Sequence, residues 1–500
     1  MGRRLSLSPR CALIAGVAGV LLLAACSSVR DGRGAPPSGT TAAPGPSSAS
    51  GSGAEPSGNP PPSSSGGSPA ACSTTYAAPD PKRPKVVLKF VVSSDLSTVA
   101  GTEHISFTPD KPITELVFRL TANTAPTVAE GNKIVVRSAT ADHGGGRYTF
   151  TSAAAASSTQ GGLLHIPFAA QVPAGTTVTA DLSFTLTLGS QSFDRFGRTA
   201  KDGARYAWFA SAQPLLAWQR GFGWHEENLI QFPAESATSE AMDTDLTVSA
   251  PAADTVIMSG DPADPRPPLV SGPRTWHSRI GAARDVSVAV GPFSVSDTTV
   301  DGVKLRLGAY SSQIRDQLVP EFHRAITKLS ERYGPFPFPS LSVARLPAQG
   351  GGIEYPSSIL MLDGSRLVAV HETAHQWFYA MVGDSQALHP WLDEAFAQYS
   401  EQLVDGTPEP TAALHAPGRV DSSTESYGTD ESGYYFTTYD KGAAALEAAR
   451  NAAGPAAWDA ALRCYVAANA WRIVVPADFE SAIAQFPKAV AVLRTAGALP

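Results

Sequence analysis

Charged residues are scarce in this sequence, and strongly basic segments are missing. Of its 500 residues, 17% are charged, and the formal net charge is −7. There is no long lysine or arginine run and no basic segment with interleaved aromatic residues, so nucleic acid is not expected as a partner. The four cysteines form no C-x-x-C pair, which argues against cysteine ligands for a zinc ion.

The apolar run near the start of the chain is short. Three arginines, at positions 3, 4 and 10, precede a run from Cys11 to Ala25. A spanning helix needs about 20 apolar residues, so this run predicts a secretory signal rather than a transmembrane helix. Leu23-Ala24-Ala25-Cys26 matches a bacterial lipobox. We therefore expect removal of residues 1–25 and a lipid on Cys26 that anchors an extracytoplasmic protein to the membrane. A plain signal peptide cut elsewhere is the alternative.

The stretch after Cys26 has a strongly biased composition. Residues 27 to about 71 are nearly all Ser, Gly, Pro, Ala and Thr, which cannot bury a core, so residues 26–75 are predicted to be a flexible tether.

With Cys11 removed and Cys26 lipidated, Cys72 and Cys464 remain. An oxidising compartment would favour a disulfide between them, and two separate thiols fit the sequence equally well.

Residues 76–297 are predicted to form an all-β domain. Apolar and polar residues alternate from Val178 to Leu188, the period of a half-buried strand. Similar runs bounded by Gly, Pro and Asp lie at Val86–Val92, Leu116–Leu120 and Ile134–Val136. The pattern favours an antiparallel β sandwich or saddle. The aromatic segment from Trp218 to His225 has no second histidine at the right spacing, and we interpret it as packing.

Residues 298–500 are predicted to form a separate α+β domain. Apolar residues fall at helical spacing over a segment that Ser311 or Ser312 can cap, at Ile314, Leu318, Phe322, Ile326 and Leu329. Gly334 and the prolines after it end this helix, and Leu341 to Leu346 predicts a strand. The chain as a whole is therefore expected to be a multidomain α+β protein.

The second domain contains a metal-binding pattern. His371, Glu372 and His375 form H-E-x-x-H, and 18 residues separate His375 from Glu394. In a helix, residues i and i+4 share a face, so both imidazoles can reach one ion. Three protein ligands and one open position are typical of catalytic zinc. The sequence predicts one Zn²⁺ per chain, bound by His371, His375 and Glu394.

Two further glutamates fit roles around this ion. Glu372 follows the first ligand, where it can take a proton from a water that attacks a scissile carbonyl and deliver it to the leaving amine. Glu401 lies two helical turns after Glu394 and can orient a histidine ligand through a hydrogen bond. A solvated helix glutamate is the alternative for Glu401.

These segments resemble the zinc site of the aminopeptidase N family, within the gluzincin metallopeptidases. The resemblance rests on His371-Glu372-Thr373-Ala374-His375-Gln376-Trp377-Phe378 and on Trp391-Leu392-Asp393-Glu394-Ala395-Phe396-Ala397. It spans roughly residues 85 to 450 and implies a thermolysin-like catalytic domain after the β domain. Many relatives carry a large helical C-terminal domain, and without one we expect a more open cleft.

Two more motifs match the family in the same order. Gly351-Gly352-Ile353-Glu354-Tyr355 is similar to the family's G-x-M-E-N loop, which implies that Glu354 binds the free amino group of the substrate. The glycine pair, Gly351 and Gly352, lets a peptide approach the backbone closely. Tyr439-Asp440-Lys441-Gly442 resembles the Y-x-K-G segment, which implies that the Tyr439 hydroxyl stabilises the tetrahedral intermediate.

Three positions depart from the family pattern: Ile353, Tyr355 and Asp393 stand where the family has Met, Asn and Asn. No zinc ligand, base or oxyanion donor is lost. The sequence thus predicts a zinc metallopeptidase that removes N-terminal residues from peptides. A zinc endopeptidase with the same site is the first alternative, and a catalytically inactive lipoprotein that binds ligands is the second.

Overall fold

The computed structural model describes residues 75–190, 195–232, 234, 238–261, 272–409 and 411–500. They lie in one compact unit, Pro69–Pro500. The predicted signal peptide, the lipidated Cys26, most of the tether and Cys72 lie outside the described residues, and these assignments stay predictions. No helix in the described ranges is both long enough and apolar enough to span a bilayer.

Strands dominate the first part of the unit. They are β1 (Lys85–Val92), β2 (Thr98–Phe107), β3 (Ile113–Arg119), β4 (Lys133–Ala141), β5 (Thr149–Thr151), β6 (Leu163–Val172), β7 (Val178–Thr187), β8 (Phe196–Lys201), β9 (Ala204–Ala210), β10 (Leu215–Leu216), β11 (Trp218–Gln219), β12 (Gly223–Trp224), β13 (Met242–Ala250), β14 (Thr255–Met258), β15 (Arg274–Ala283) and β16 (Ser287–Gly291). One short helix, α1 (Ala125–Ala129), interrupts them.

These strands form layered sheets around a shared core. The largest sheet has the order β15-β13-β1-β2-β7-β4, and smaller sheets have the orders β10-β3-β6-β5 and β14-β16-β9-β8. Every second residue of β1 is buried, as its alternation predicts. One pairing differs from the expected antiparallel pattern, because β1 and β13 run parallel. The long excursion through the intervening strands allows the chain to return in that direction.

The second part combines one sheet with helices. Its strands are β17 (Ser294–Val300), β18 (Val303–Ala309), β19 (Ser340–Arg345), β20 (Gly352–Tyr355) and β21 (Ser358–Met361), in the order β17-β18-β19-β21-β20. Its helices are α2 (Ser312–Tyr333), α3 (Arg366–Ala374), α4 (Trp391–Asp405), α5 (Thr411–Leu414), α6 (Glu431–Tyr435), α7 (Gly442–Ala453), α8 (Pro455–Ala468), α9 (Pro476–Ile483) and α10 (Pro487–Ala496). The α+β class expected from the sequence is confirmed.

Helix α2 shows how the sequence sets these elements. The Ser311 hydroxyl caps its start by accepting a hydrogen bond from the backbone N–H of Ile314 at 3.2 Å. Its end is set by Gly334, whose φ of +106° suits glycine. The strand β17 runs across residue 297, the predicted boundary between domains. That boundary stays a prediction.

The first described residues are hydrogen-bonded to the helical part of the unit. The Tyr76 hydroxyl donates to the carbonyl of Pro335 and accepts a hydrogen bond from Trp377 Nε1 at 3.1 Å. The backbone N–H of Ala77 donates to the carbonyl of Ala467 at 3.3 Å. Nearby in α8, Cys464 is disulfide-bonded. Its pairing with Cys72 stays a prediction.

Candidate active site

Helix α3 presents the H-E-x-x-H pattern. The Ser365 hydroxyl accepts a hydrogen bond from Val368 N–H at 3.2 Å and fixes where the helix starts. The helix ends at Ala374 with His375 at its C-cap, before Trp377 and Phe378. The residues after His375 form turns. Their side chains are buried, because Trp377, Phe378 and Met381 belong to the hydrophobic core of the helical part.

The two histidines aim corresponding nitrogens at one point. Nε2 of His371 and Nε2 of His375 each lie 3.3 Å from Glu394 Oε2. Nδ1 of His371 contacts Glu401 Oε1 at 2.7 Å, and Nδ1 of His375 contacts the Phe378 carbonyl at 3.2 Å. With each Nδ1–H donating to its oxygen, both Nε2 lone pairs are directed at the Glu394 carboxylate.

The ligand set fits a zinc ion. The ligand atoms of His371, His375 and Glu394 lie within 4.8 Å of one another, and all three residues are buried. Two neutral imidazoles and a carboxylate are the donors found in catalytic zinc sites. Helix α4 supplies both Glu394 and Glu401, two turns apart on one face, as the sequence predicted. Glu401 therefore lies where a residue that orients His371 is expected, and that role stays a prediction.

Glu372 lies beside this point without being one of the three ligands. Its side chain is 4% exposed, and its Oε2 has no hydrogen-bond partner among the described residues. Burial raises the pKa of Glu372 to about 8, although the neighbouring histidines oppose that rise. For Glu394, burial raises the pKa, but the lowering by His375 and His371 is larger, so the net shift of the pKa is downward. The two carboxylates therefore favour different protonation states.

The predicted glycine loop is an edge strand. Gly352 to Tyr355 form β20, which pairs with β21 on one side. A Cβ on Gly352 would lie 2.5 Å from Glu372 Oε1, whereas a Cβ on Gly351 would meet nothing within 4 Å. Only Gly352 is therefore required by close contact with the base. Glu354, 2% exposed, points into the site, where its carboxylate groups with Glu372 and His375.

A glutamine that no sequence motif indicated links two acids of the site. Gln386 Nε2 lies 3.0 Å from Asp393 Oδ2 and 3.5 Å from Glu354 Oε1. Burial raises the pKa of Asp393 well above its usual range. The only signal in the sequence was Asp393 itself, one of the three departures from the family pattern. No spacing rule pointed to its partner.

Tyr439 reaches the ligands from a π-helical turn, Phe436–Lys441, that precedes α7. The regular helix α7 begins directly after this turn, at Gly442. The Tyr439 ring stacks on His371 with centroids 5.9 Å apart, and burial beside the Glu394 carboxylate raises the pKa of its hydroxyl well above its usual range. Such turns occur often at functional sites, because they redirect one side chain within a helix.

The aromatic segment from Trp218 to His225 makes its own set of packing contacts. His225 is 1% exposed, contacts Glu227 Oε1 at 2.8 Å and Gln219 Oε1 at 2.6 Å, and stacks on Phe222. These contacts agree with its interpretation as packing.

The family model for the peptidase family M1 domain matches residues 357–494. That range contains the three candidate ligands, Glu372 and Tyr439. Residues 357–494 belong to peptidase family M1. The resemblance seen in the sequence is thereby confirmed, and this family of zinc metallopeptidases implies one catalytic Zn²⁺ at the ligands described above.

A curated relative and several solved structures extend the comparison. Aminopeptidase M1 of Arabidopsis thaliana is 28% identical over 141 residues, 24% of this chain and only 16% of the plant protein. The M1 zinc metallopeptidase of Deinococcus radiodurans is 20% identical, with a TM-score of 0.62 over 85% of this chain and 95% of that chain. A variant of that enzyme bound to a Tyr-Ser-Ala substrate gives a TM-score of 0.61 at 20% identity, covering 85% and 96% of the two chains. These likenesses show a shared M1 fold.

Proposed function

We propose that this protein is a zinc-dependent peptidase that removes N-terminal residues from peptides. The observation that carries the proposal is the convergence of His371, His375 and Glu394 on one point, beside a Glu372 carboxylate whose Oε2 has no hydrogen-bond partner among the described residues. A zinc ion held there supplies Lewis acidity to the reaction. The M1 relatives, one of them named as an aminopeptidase, support the assignment.

The chain's own residues account for the proton movements. Glu372 takes the proton of the attacking water and transfers it to the nitrogen of the leaving amine. Its raised pKa of about 8, which burial causes, suits a group that must both accept and return a proton near neutral pH. The Tyr439 hydroxyl donates a hydrogen bond to the oxyanion of the tetrahedral intermediate.

Two features favour a free amino terminus on the substrate. Glu354 offers a buried carboxylate to the substrate ammonium group, a charge-assisted pair that is strong when water is excluded. Among the described strands, β20 is the last of its sheet, and its outer edge offers backbone groups with which an extended peptide can pair. A peptide paired there would direct its amino end toward Glu354 and its first peptide bond toward Glu372.

One comparison of substrates tests the proposal. The purified protein should release the first residue of a free peptide and leave the N-acetylated peptide intact, and a chelator should abolish the release. Glu372→Gln should keep one zinc per chain and lose hydrolysis by several orders of magnitude. Equal cleavage of both peptides would instead indicate the endopeptidase. Full activity in Glu372→Gln would refute the assigned base.

We also propose that the protein is an extracytoplasmic bacterial lipoprotein anchored through Cys26. The lipobox at Leu23–Cys26 supports this location, and so does the disulfide at Cys464, because disulfides persist in oxidising compartments. Expression in a bacterium supplied with labelled palmitate should label the wild type and not Cys26→Ser. Labelling of both would place the lipid elsewhere.

A further inference from the structure

Gln376 follows the second histidine ligand and is completely buried. Its amide lies between the end of α3 and the hairpin of β20 and β21. Nε2 donates to the Tyr355 carbonyl at 3.0 Å, and Oε1 accepts from the Ser357 backbone N–H at 2.9 Å. One side chain therefore hydrogen-bonds to both sides of the turn that joins the two strands.

This turn adopts a backbone conformation that needs support. Ser357 has a φ of +59°, in the left-handed region that favours glycine. A non-glycine residue there persists when its surroundings hold it in place. The Gln376 amide holds the Ser357 N–H, and the Ser357 hydroxyl donates to the Ser340 carbonyl at 2.6 Å. The turn is thus fixed to α3 on one side and to β19 on the other.

The position of this turn determines where Glu354 lies. Glu354 immediately precedes Tyr355, whose carbonyl accepts the bond from Gln376. The side-chain contact of Glu354 with Gln386 is long, at 3.5 Å, so its backbone must do much of the positioning. The carboxylate and His375, adjacent to Gln376, belong to one tight group. Because Glu354 is proposed to bind the substrate ammonium group, a displacement of its carboxylate by about 1 Å should weaken substrate binding.

We propose that Gln376 is a positioning residue that sets the distance between Glu354 and the histidine ligands, and that it thereby tunes the preference for a free amino terminus. The proposal rests on the proposed function of Glu354. Gln376 touches neither substrate nor metal in this role. It acts through the hairpin of β20 and β21, which holds the Glu354 carboxylate in place relative to the ligands.

The test compares Gln376→Met with Thr373→Val. Methionine fills similar volume and removes both hydrogen bonds to the hairpin. Thr373 is equally buried in α3, but its hydroxyl donates only within the helix, to Ala369. For each variant, zinc content, kcat and KM are measured on a free peptide and on its N-acetylated form. Hydrogen exchange of the segment 352–361 is followed by mass spectrometry.

In Gln376→Met we expect KM for the free peptide to rise about tenfold or more, with kcat changed less and one zinc per chain retained. Exchange in segment 352–361 should become faster, and Thr373→Val should match wild type in every measurement. An unchanged KM in Gln376→Met, or the same rise in Thr373→Val, would overturn the inference. If Gln376→Met does not fold, Gln376→Glu keeps the acceptor for Ser357 and loses the donor to Tyr355. It should then raise KM for the free peptide, by less than the about tenfold rise expected for loss of both hydrogen bonds, and no rise would again overturn the inference.

The wild type separates failure of this inference from failure of the proposed function. A wild type that cleaves the acetylated peptide as fast as the free one would refute the amine-binding role of Glu354. Gln376 could still be judged in that case, because faster exchange in segment 352–361 of Gln376→Met would support its hold on the hairpin. Unchanged exchange would reject it.

Discussion

At the scale of single residues, the absence of a side chain at Gly352 allows the edge strand β20 to lie close to the base Glu372. In Gly352→Ala, the new Cβ would lie 2.5 Å from Glu372 Oε1, so the carboxylate or the strand must shift. We expect kcat to fall about tenfold to a hundredfold with zinc content unchanged, since Glu372 is not one of the ligands. Steady-state kinetics and metal analysis provide the measurement.

Gly351→Ala is the matched control for this prediction. A Cβ there meets nothing within 4 Å, so the variant should retain most of its activity. If both variants lost activity equally, general disturbance of the strand would explain the loss better than contact with Glu372.

The hydrogen bond between Glu401 and His371 gives a second prediction. Glu401→Gln removes the charge that holds the Nδ1–H of His371 at 2.7 Å. Loss of such a partner commonly weakens metal binding by about 10–100-fold, and we expect a fall of that size. Competition with a chelator of known affinity measures it. Glu409→Gln, whose carboxylate contacts Gln398 at 2.8 Å, is the control and should bind zinc as wild type does.

Residue spacing predicted the ligands and Glu401, but not the two glutamines that support the site. The i, i+4 rule brings His371 and His375 together without any knowledge of the fold. Gln376 and Gln386 act on Tyr355, Ser357 and Glu354, which belong to other elements and lie 19 to 32 residues away in sequence. Such pairs depend on how α3 meets the sheet, and a single sequence does not encode that crossing as a period.

At the scale of elements, the contact between α4 and the start of α7 places Tyr439 against the ligands. Gly442 lies directly against Ala395, next to Glu394, and a Cβ at 442 would lie 2.6 Å from the Ala395 Cβ. In Gly442→Ala, α7 and the π-helical turn must move away from α4. We expect kcat to fall about tenfold, with a smaller change in KM, because Tyr439 acts on the transition state.

The control for Gly442→Ala tests helix propensity alone. Alanine is the better helix former by about 1 kcal/mol, so propensity by itself would favour the variant. Asn451→Ala, at an exposed position of the same helix, should leave kcat unchanged. A wild-type kcat in Gly442→Ala would show that the contact with α4 does not position Tyr439.

Element ends were the least predictable part of this structure. Periodicity found α2 and the strands β1 and β7, since their buried faces repeat regularly. It did not find the end of α3 at Ala374 or the π-helical turn before α7. Both depend on tertiary contacts around the zinc ligands, which override the local preference for an uninterrupted helix.

At the scale of the whole molecule, one buried arginine joins the β-rich part to the helices. Arg284 donates to the carbonyls of Ser239, Tyr379 and Arg472 at 2.7 to 2.9 Å. Tyr379 comes soon after the ligand His375 and has a φ of +100°. Distortion at this junction would therefore reach the turns that follow the ligand helix. Glu240, the neighbour of Ser239, leads us to expect that the stability of the junction depends on pH.

Glu240 is 8% exposed and accepts a hydrogen bond from the backbone N–H of Arg220 at 2.7 Å, while its Oε2 has no hydrogen-bond partner among the described residues. Burial raises its pKa from 4.5 to about 7, against the opposing effect of Arg220. The folded-state pKa is the higher one, so the folded state holds the carboxyl proton more tightly than the unfolded state does. The stability that this proton contributes is fully present below pH 4.5 and is lost as the pH rises through 7. The loss is about 3 kcal/mol in the free energy of unfolding.

Glu240→Gln should remove that part of the pH dependence. Glutamine keeps an acceptor for the Arg220 N–H and cannot ionise, so its free energy of unfolding should fall less between pH 5 and pH 8 than that of wild type. Urea unfolding at unit steps of pH measures the difference. Glu331→Gln removes the same charge from a side chain that is 60% exposed and should follow the wild-type curve. Parallel curves for wild type and Glu240→Gln would mean that Glu240 is ionised at no cost, and that water or movement at the junction relieves its burial.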